Sequence, residues 1–298
     1  MNDRVTEHVL LGAMPQQQFL ARLEQRSDAF DRDDLATAWR TARETLSRLE
    51  EREAGCADDA GILAIPPEMA AQVDAVIATP AIAQAFARVP VMFGLIELDA
   101  TMTARTVLID ERLEAMKTSW PAVPEDAALA AACLPQTAEP PPASRVSFDG
   151  RCLSIRDDHE VLQQLDIRIE TGAPVSLPDA PGAVHTALRL LVGTSPPLVH
   201  AVRLGGRLLL VDGHHRARVL RALGVTFLPC IVSVCGDLDD VIAAAPSAGD
   251  LDLEALFESP RPPMLRDFGR GALVHTYSAR RPGRLLQWRI EPSVQWLP

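Results

Sequence analysis

The chain has 298 residues, 47% of them hydrophobic, enough to bury one large or two ordinary domains. A formal net charge of −11 excludes broad, sequence-independent nucleic-acid binding, which needs a basic footprint. No apolar run is long enough to span a bilayer, no basic-then-apolar leader opens the chain, and five cysteines show no framework spacing, so a soluble cytoplasmic protein is expected.

Residues 1–30 are mixed, with a short helix around Pro15 to Arg26. Leu35, Ala38, Trp39, Ala42, Leu46 and Leu49 then recur at spacings of three and four, which predicts an amphipathic helix with Asp33 and Asp34 at its start and Gly55 at its end. Pro66-Pro67 opens a helix over 68–78, and Pro80 a further one to about Arg88. Val91 to Asp99 is apolar except for Glu97 and Asp99, acids that must lie at an edge or meet a partner. They read either as a solvated face or as a carboxylate turned toward Arg216. Residues 1–133 are thus read as a mainly helical N-terminal region, a candidate surface for a protein partner.

The proline-rich stretch 134–145 reads as a linker into an α/β domain over 146–298. Val146 to Ile155 suits a strand or a hairpin around Asp149-Gly150. His159 to Leu165 reads as helix, Ile167 to Glu170 as strand, and Gly182 to Val192 as a helix carrying His185, either structural or at the site. After Val234 the acids Asp237, Asp239, Asp240, Asp250, Asp252 and Glu254 predict a solvated helical surface. Gly271 to Ser278 and Arg284 to Ile290 predict a C-terminal β-hairpin turning at Arg281-Pro-Gly283.

The chemistry concentrates in 208–234. Leu208-Leu-Leu-Val211 is a buried strand, Asp212-Gly-His-His-Arg216 a sharp polar turn, and the following residues to Gly224 an amphipathic helix. Val225 to Val234 is a second apolar strand, giving a βαβ-type unit. The N-terminus of a helix offers free N–H groups and partial positive charge, Gly213 admits a close ligand, and Arg216 carries a fork suited to phosphate. Six arginines against the single acid Asp212 lie between Arg189 and Arg221, which suits a small phosphorylated ligand. The alternative is ordinary capping by Asp212 with solvated histidines. A metal site on Asp212, His214 and His215 is disfavoured, because adjacent helical residues point about 100° apart.

The string Val211-Asp-Gly-His-His-Arg216, the helix with Leu220 and Leu223, Gly224, the strand containing Pro229, and the preceding 197–211 segment together resemble the ParB/sulfiredoxin superfamily core. The wording of the motif is most similar to its free-serine-kinase branch. The resemblance covers about 182–234 and implies an α+β fold with a mixed α/β core. It implies binding of a nucleotide (ATP, ADP or CTP) with Mg2+, the cofactor held by Gly213, His214, Arg216 and Arg218. Catalysis would rest on Asp212, His214 and His215, by nucleotide hydrolysis or phosphoryl transfer to a small hydroxyl. The sulfiredoxin reaction is disfavoured, since His214 stands where that motif has cysteine. The alternative is a non-catalytic, ligand-gated binding or adaptor module, associated with a nucleic-acid-handling complex.

Overall fold

The computed structural model describes residues 4–13, 15–27, 31–134, 145–157, 162–171, 186–194, 198–245, 252–281 and 283–291. The first element is a strand, β1 (Arg4–Leu10), whose inward positions Val5, Glu7 and Val9 include a charge. Glu7 is only 1% exposed, and Arg26 (2.5 Å) and the Tyr277 hydroxyl (2.6 Å) satisfy its carboxylate. Helices α1 (Gln16–Arg26) and α2 (Arg32–Glu53) follow; α2 is capped by Asp31, which accepts from the N–H groups of Asp33 and Asp34. Next come β2 (Ile62–Leu63), α3 (Pro67–Ile77), α4 (Pro80–Ala85), β3 (Val91–Glu97), β4 (Met102–Thr103), β5 (Val107–Ile109), α5 (Asp110–Ser119) and α6 (Asp126–Cys133). Then follow β6 (Arg145–Phe148), β7 (Cys152–Asp157), β8 (Leu162–Thr171) and β9 (Thr186–Thr194). The last part holds β10 (His200–Leu204), β11 (Arg207–Asp212), α7 (His214–Ala222), β12 (Phe227–Cys235), α8 (Leu238–Ala244), α9 (Leu253–Glu258), β13 (Val274–Arg280) and β14 (Arg284–Arg289). The fold is α+β.

The chain divides into two units, Met1–Gln136 with Pro197–Arg280, and Thr137–Pro196 with Arg281–Pro298. This corrects the expected boundaries. The N-terminal region is no separate helical part: it supplies β1 and β5, which with β13 make a sheet of order β13-β1-β5, and three strands of the large sheet. The expected C-terminal hairpin is also absent, because β13 pairs with β1 and β14 with β7. Burial of Ala279 against Val5 and Ile109 decides the partner of β13. The stretches read as helix over 159–165 and 182–192 are strand wherever described, since β8 and β9 pair antiparallel. Short apolar runs carry no decisive period, and pairing settles them. Residues 135–144 of the expected linker, and His185, lie outside the described residues. The hairpin around Asp149-Gly150 forms, with β6 against β7.

The large sheet of the first unit runs β2-β3-β12-β10-β11-β4. β12 is buried along nearly its whole length, between antiparallel β3 and parallel β10. Pro229 lies before the first β10 partner, Ile231, where a missing N–H costs no bond to that strand. β11 and β12 are separated by β10 and run in opposite directions, so the strand–helix–strand of 208–234 is not a parallel βαβ unit. One face of the sheet (Ala201, Leu208, Leu210, Val232) packs on Met69 and Val73 of α3, Leu129 of α6 and Ala217 and Leu220 of α7. The other (Val202, Leu209, Met102) packs on Val241 of α8 and Leu256 of α9. The Gly205-Gly206 turn between β10 and β11 passes so close to the Asp58 carbonyl that a Cβ on Gly206 would lie 1.7 Å from it.

Glu53, at the end of α2, accepts hydrogen bonds from Arg261 (3.1 Å), Arg266 (2.8 Å) and Arg270 (2.6 Å), while Asp267 takes the other side of Arg261. Burial pushes the Glu53 carboxyl up, but the bonds from Arg270 and Arg261 and the charge of Arg266 hold it down at about 2. A carboxyl lowered on folding stabilises above its unfolded value and loses that contribution as pH falls toward the folded one. Glu53→Gln therefore costs roughly 2–3 kcal/mol at pH 7. In chemical denaturation series the difference from the unsubstituted protein narrows between pH 4.5 and 2, and a pH-independent difference contradicts the assignment.

Candidate functional site

The site begins where β11 becomes α7. The chain reverses at Gly213, whose φ of +85° is left-handed, and a Cβ there would meet Val199 and the Leu198 carbonyl at 2.9–3.1 Å. The first helical bond runs from Ala217 N–H to the Gly213 carbonyl at 2.8 Å. Asp212 Oδ1 accepts from the N–H of Gly213 at 2.7 Å, so it does not cap the helix, and α7 has no side-chain cap. Among the described residues no acceptor meets the N–H groups of His214, His215 or Arg216.

His215 is buried and already committed: its Nε2 accepts the Ile109 N–H at 2.9 Å, tying α7 to the junction of β5 and α5. Burial, with the charges of Arg112 and Arg105, pushes it down to about 3, so it is neutral and structural. This revises its expected catalytic role. His214 is 3% exposed and its Nε2 has no partner among the described residues. Burial first, then Arg105 and His215, hold its pKa well below the usual histidine value, against a hydrogen bond to the Leu210 backbone. His214 is a neutral ring with an unused nitrogen.

Arg216 carries a buried Nε with no partner among the described residues. Burial pushes its pKa down, while Cys133 and Asp212 beside it push up. Asp212 touches solvent, yet the protein around it pushes its carboxyl up, against the Gly213 N–H and the guanidiniums of Arg105, Arg216 and Arg112. Asp212, Gly213, His214 and Arg216 are therefore brought together. Arg218 is not: two residues on, it stands on the opposite side of α7 and lines a different hollow with His8 and Asp110. Glu97 and Asp99 do not face the turn either. Glu97 ends β3, and Asp99 bonds Arg221 at 2.5 Å in the last turn of α7.

Two residues that the sequence reading missed complete the site. Arg105 follows the two-residue strand β4, which lies parallel to β11 and carries the loop to the turn; Arg112 lies in the first turn of α5. A two-residue strand leaves no period to read, so only the contact of Met102 and Thr103 with Leu209 and Leu210 reveals the neighbourhood.

The guanidiniums of Arg105, Arg216 and Arg112 all act on the Asp212 carboxylate, a charge balance that suits an anion better than a cation. Among the described residues no group of three or more His, Cys, Asp or Glu side chains is placed to hold a metal ion. Mg2+ needs several oxygen ligands, and one aspartate beside three arginines does not supply them, so the donor set does not fit a protein-held Mg2+. Of the two best-formed hollows, a shallow one of about 500 Å3 borders Asp58 and Arg207, and the other is that of Arg218; the turn lines neither. No helix among the described residues is long and apolar enough to cross a membrane. No family model, curated protein or solved structure matches the chain.

A histidine lowered on folding stays neutral in the fold while the unfolded chain takes a proton. Stability is then full above about pH 6.5 and falls as pH drops toward 3, by at most about 1.4 kcal/mol per pH unit. His215→Gln keeps an acceptor for the Ile109 N–H. The expected outcome is a folded protein whose unfolding free energy declines less steeply between pH 6 and 4, and an unchanged slope contradicts the burial of a neutral His215.

Proposed function

We propose that the protein binds the phosphates of a nucleoside di- or triphosphate (ATP, ADP or CTP) at the Gly213–Arg216 turn, in a ParB/sulfiredoxin-like core. One observation carries the reading: donors without acceptors converge there. The N–H groups of His214, His215 and Arg216 and the buried Nε of Arg216 meet no acceptor among the described residues, and Arg105 and Arg112 stand close enough to act on Asp212. A multiply charged oxyanion satisfies such donors.

The binding form of this reading is the better supported. Phosphoryl transfer is positioning plus charge neutralisation, which the arginines supply, but the acceptor or water must also lose a proton. His215 is engaged and His214 is buried, so hydrolysis or transfer to a hydroxyl rests on Asp212 alone. The ligand-gated module requires no proton transfer. Any Mg2+ arrives on the nucleotide, neutralising its phosphates.

Ligand binding to the folded state raises the unfolding midpoint by mass action. ATP, ADP or CTP raises it saturably, and Arg216→Ala or Arg105→Ala weakens the apparent affinity about tenfold or more, the worth of a charge-assisted hydrogen bond. Asp212→Asn retains binding and abolishes any turnover. No shift with any of these nucleotides, or equal shifts in Arg216→Ala, overturns the reading.

A further inference from the structure

Arg218 points to a second site. Between α5 and α7 lies a hollow of about 150 Å3. Asp110 and Lys117 are two helical turns apart on α5 and so share one face, with Leu113 between them. Across from them, α7 contributes Arg218, Val219 and Ala222, and Phe268 closes the apolar floor. Leu113, Val219 and Phe268 are all buried.

The rim is charged, and its charges are unequally committed. His8 is held on both nitrogens, with Asp110 Oδ1 2.8 Å from Nε2 and Thr276 Oγ1 3.1 Å from Nδ1. Lys117 shares its charge with Glu114 at 2.5 Å. Arg218 has no partner among the described residues. Burial, and then the like charge of Arg221, push its pKa down, as expected of a guanidinium short of compensating charge. Lys117 is thus answered by Glu114 and Asp110 is bonded to His8, so among the described residues Arg218 is the rim cation without a carboxylate partner, over an apolar floor.

We infer that this hollow binds a small organic monoanion, a short aliphatic or aryl carboxylate, with its carboxylate on Arg218 and its body on Leu113, Val219 and Phe268. The single uncommitted guanidinium matches a monoanion, whereas a phosphate dianion would face the Asp110 carboxylate across a space of this size. The floor gives the hydrocarbon part a place to leave water, which inorganic phosphate lacks. The site shares no ligand group with the Gly213–Arg216 turn.

The test is ligand-observed NMR titration of the full chain with butyrate and benzoate, and with inorganic phosphate as the comparison anion. Saturable binding of a carboxylate is expected, at least tenfold tighter than phosphate. Arg218→Met should weaken it about tenfold, Ala222→Leu should weaken it by filling the hollow without removing a charge, and Arg216→Ala should leave it unchanged. Circular dichroism confirms that each variant is folded. Absence of saturable carboxylate binding overturns the inference, as does binding that survives both Arg218→Met and Ala222→Leu. Phosphate binding as tightly as either carboxylate also overturns it, by making the hollow a generic anion patch.

Discussion

The end of β11 depends on one residue reversing the chain. Gly213 takes a left-handed φ against the Leu198 carbonyl and Val199, in a space with no room for a Cβ. Because the turn is completed in a single residue, α7 starts immediately over the sheet edge, with its first N–H groups at the end of β11 beside the loop after β4. A longer or wider turn would carry those donors away from Arg105 and remove the commitment of His215 to Ile109.

The histidine pair shows how one local geometry divides two like residues. His214 and His215 are adjacent, so their side chains leave the helix about 100° apart. One reaches the backbone of the β5–α5 junction and becomes a structural clamp, and the other is buried with an unused nitrogen. Burial keeps both neutral, so the positive charge of the turn comes from arginine. Arginine holds its charge under burial far better than histidine, and its fork meets oxyanions directly.

Much of this neighbourhood was legible in the sequence, because its elements are long or sharply punctuated. The strand of Leu208 to Val211, the glycine turn, α7 with its apolar face of Ala217 and Leu220, and the buried run of β12 follow from period and composition. The helices α1 to α3 follow from apolar spacing and proline punctuation. What was not legible was set at long range. β1 hides behind Glu7, a charge at an inward position whose partners lie on α1 and β13. β4 is too short to register, and it brings Arg105. The partners of β13 and β14 were misjudged because a Pro-Gly turn signals where the chain bends and says nothing about which strands pair. The resemblance sets Arg218 beside Arg216 in the cofactor set, although two residues apart on a helix face opposite ways.

Phosphate recognition at the turn requires the N–H groups of His214, His215 and Arg216 to donate to phosphate oxygens. The most direct measurement is amide NMR of the uniformly 15N-labelled protein titrated with ATP, ADP and CTP. The account predicts saturable downfield shifts concentrated at these three amides and at Gly213 and Arg105, with one common dissociation constant. Amides of 213–216 that stay fixed at saturating nucleotide, or shifts confined to another part of the chain, would contradict it.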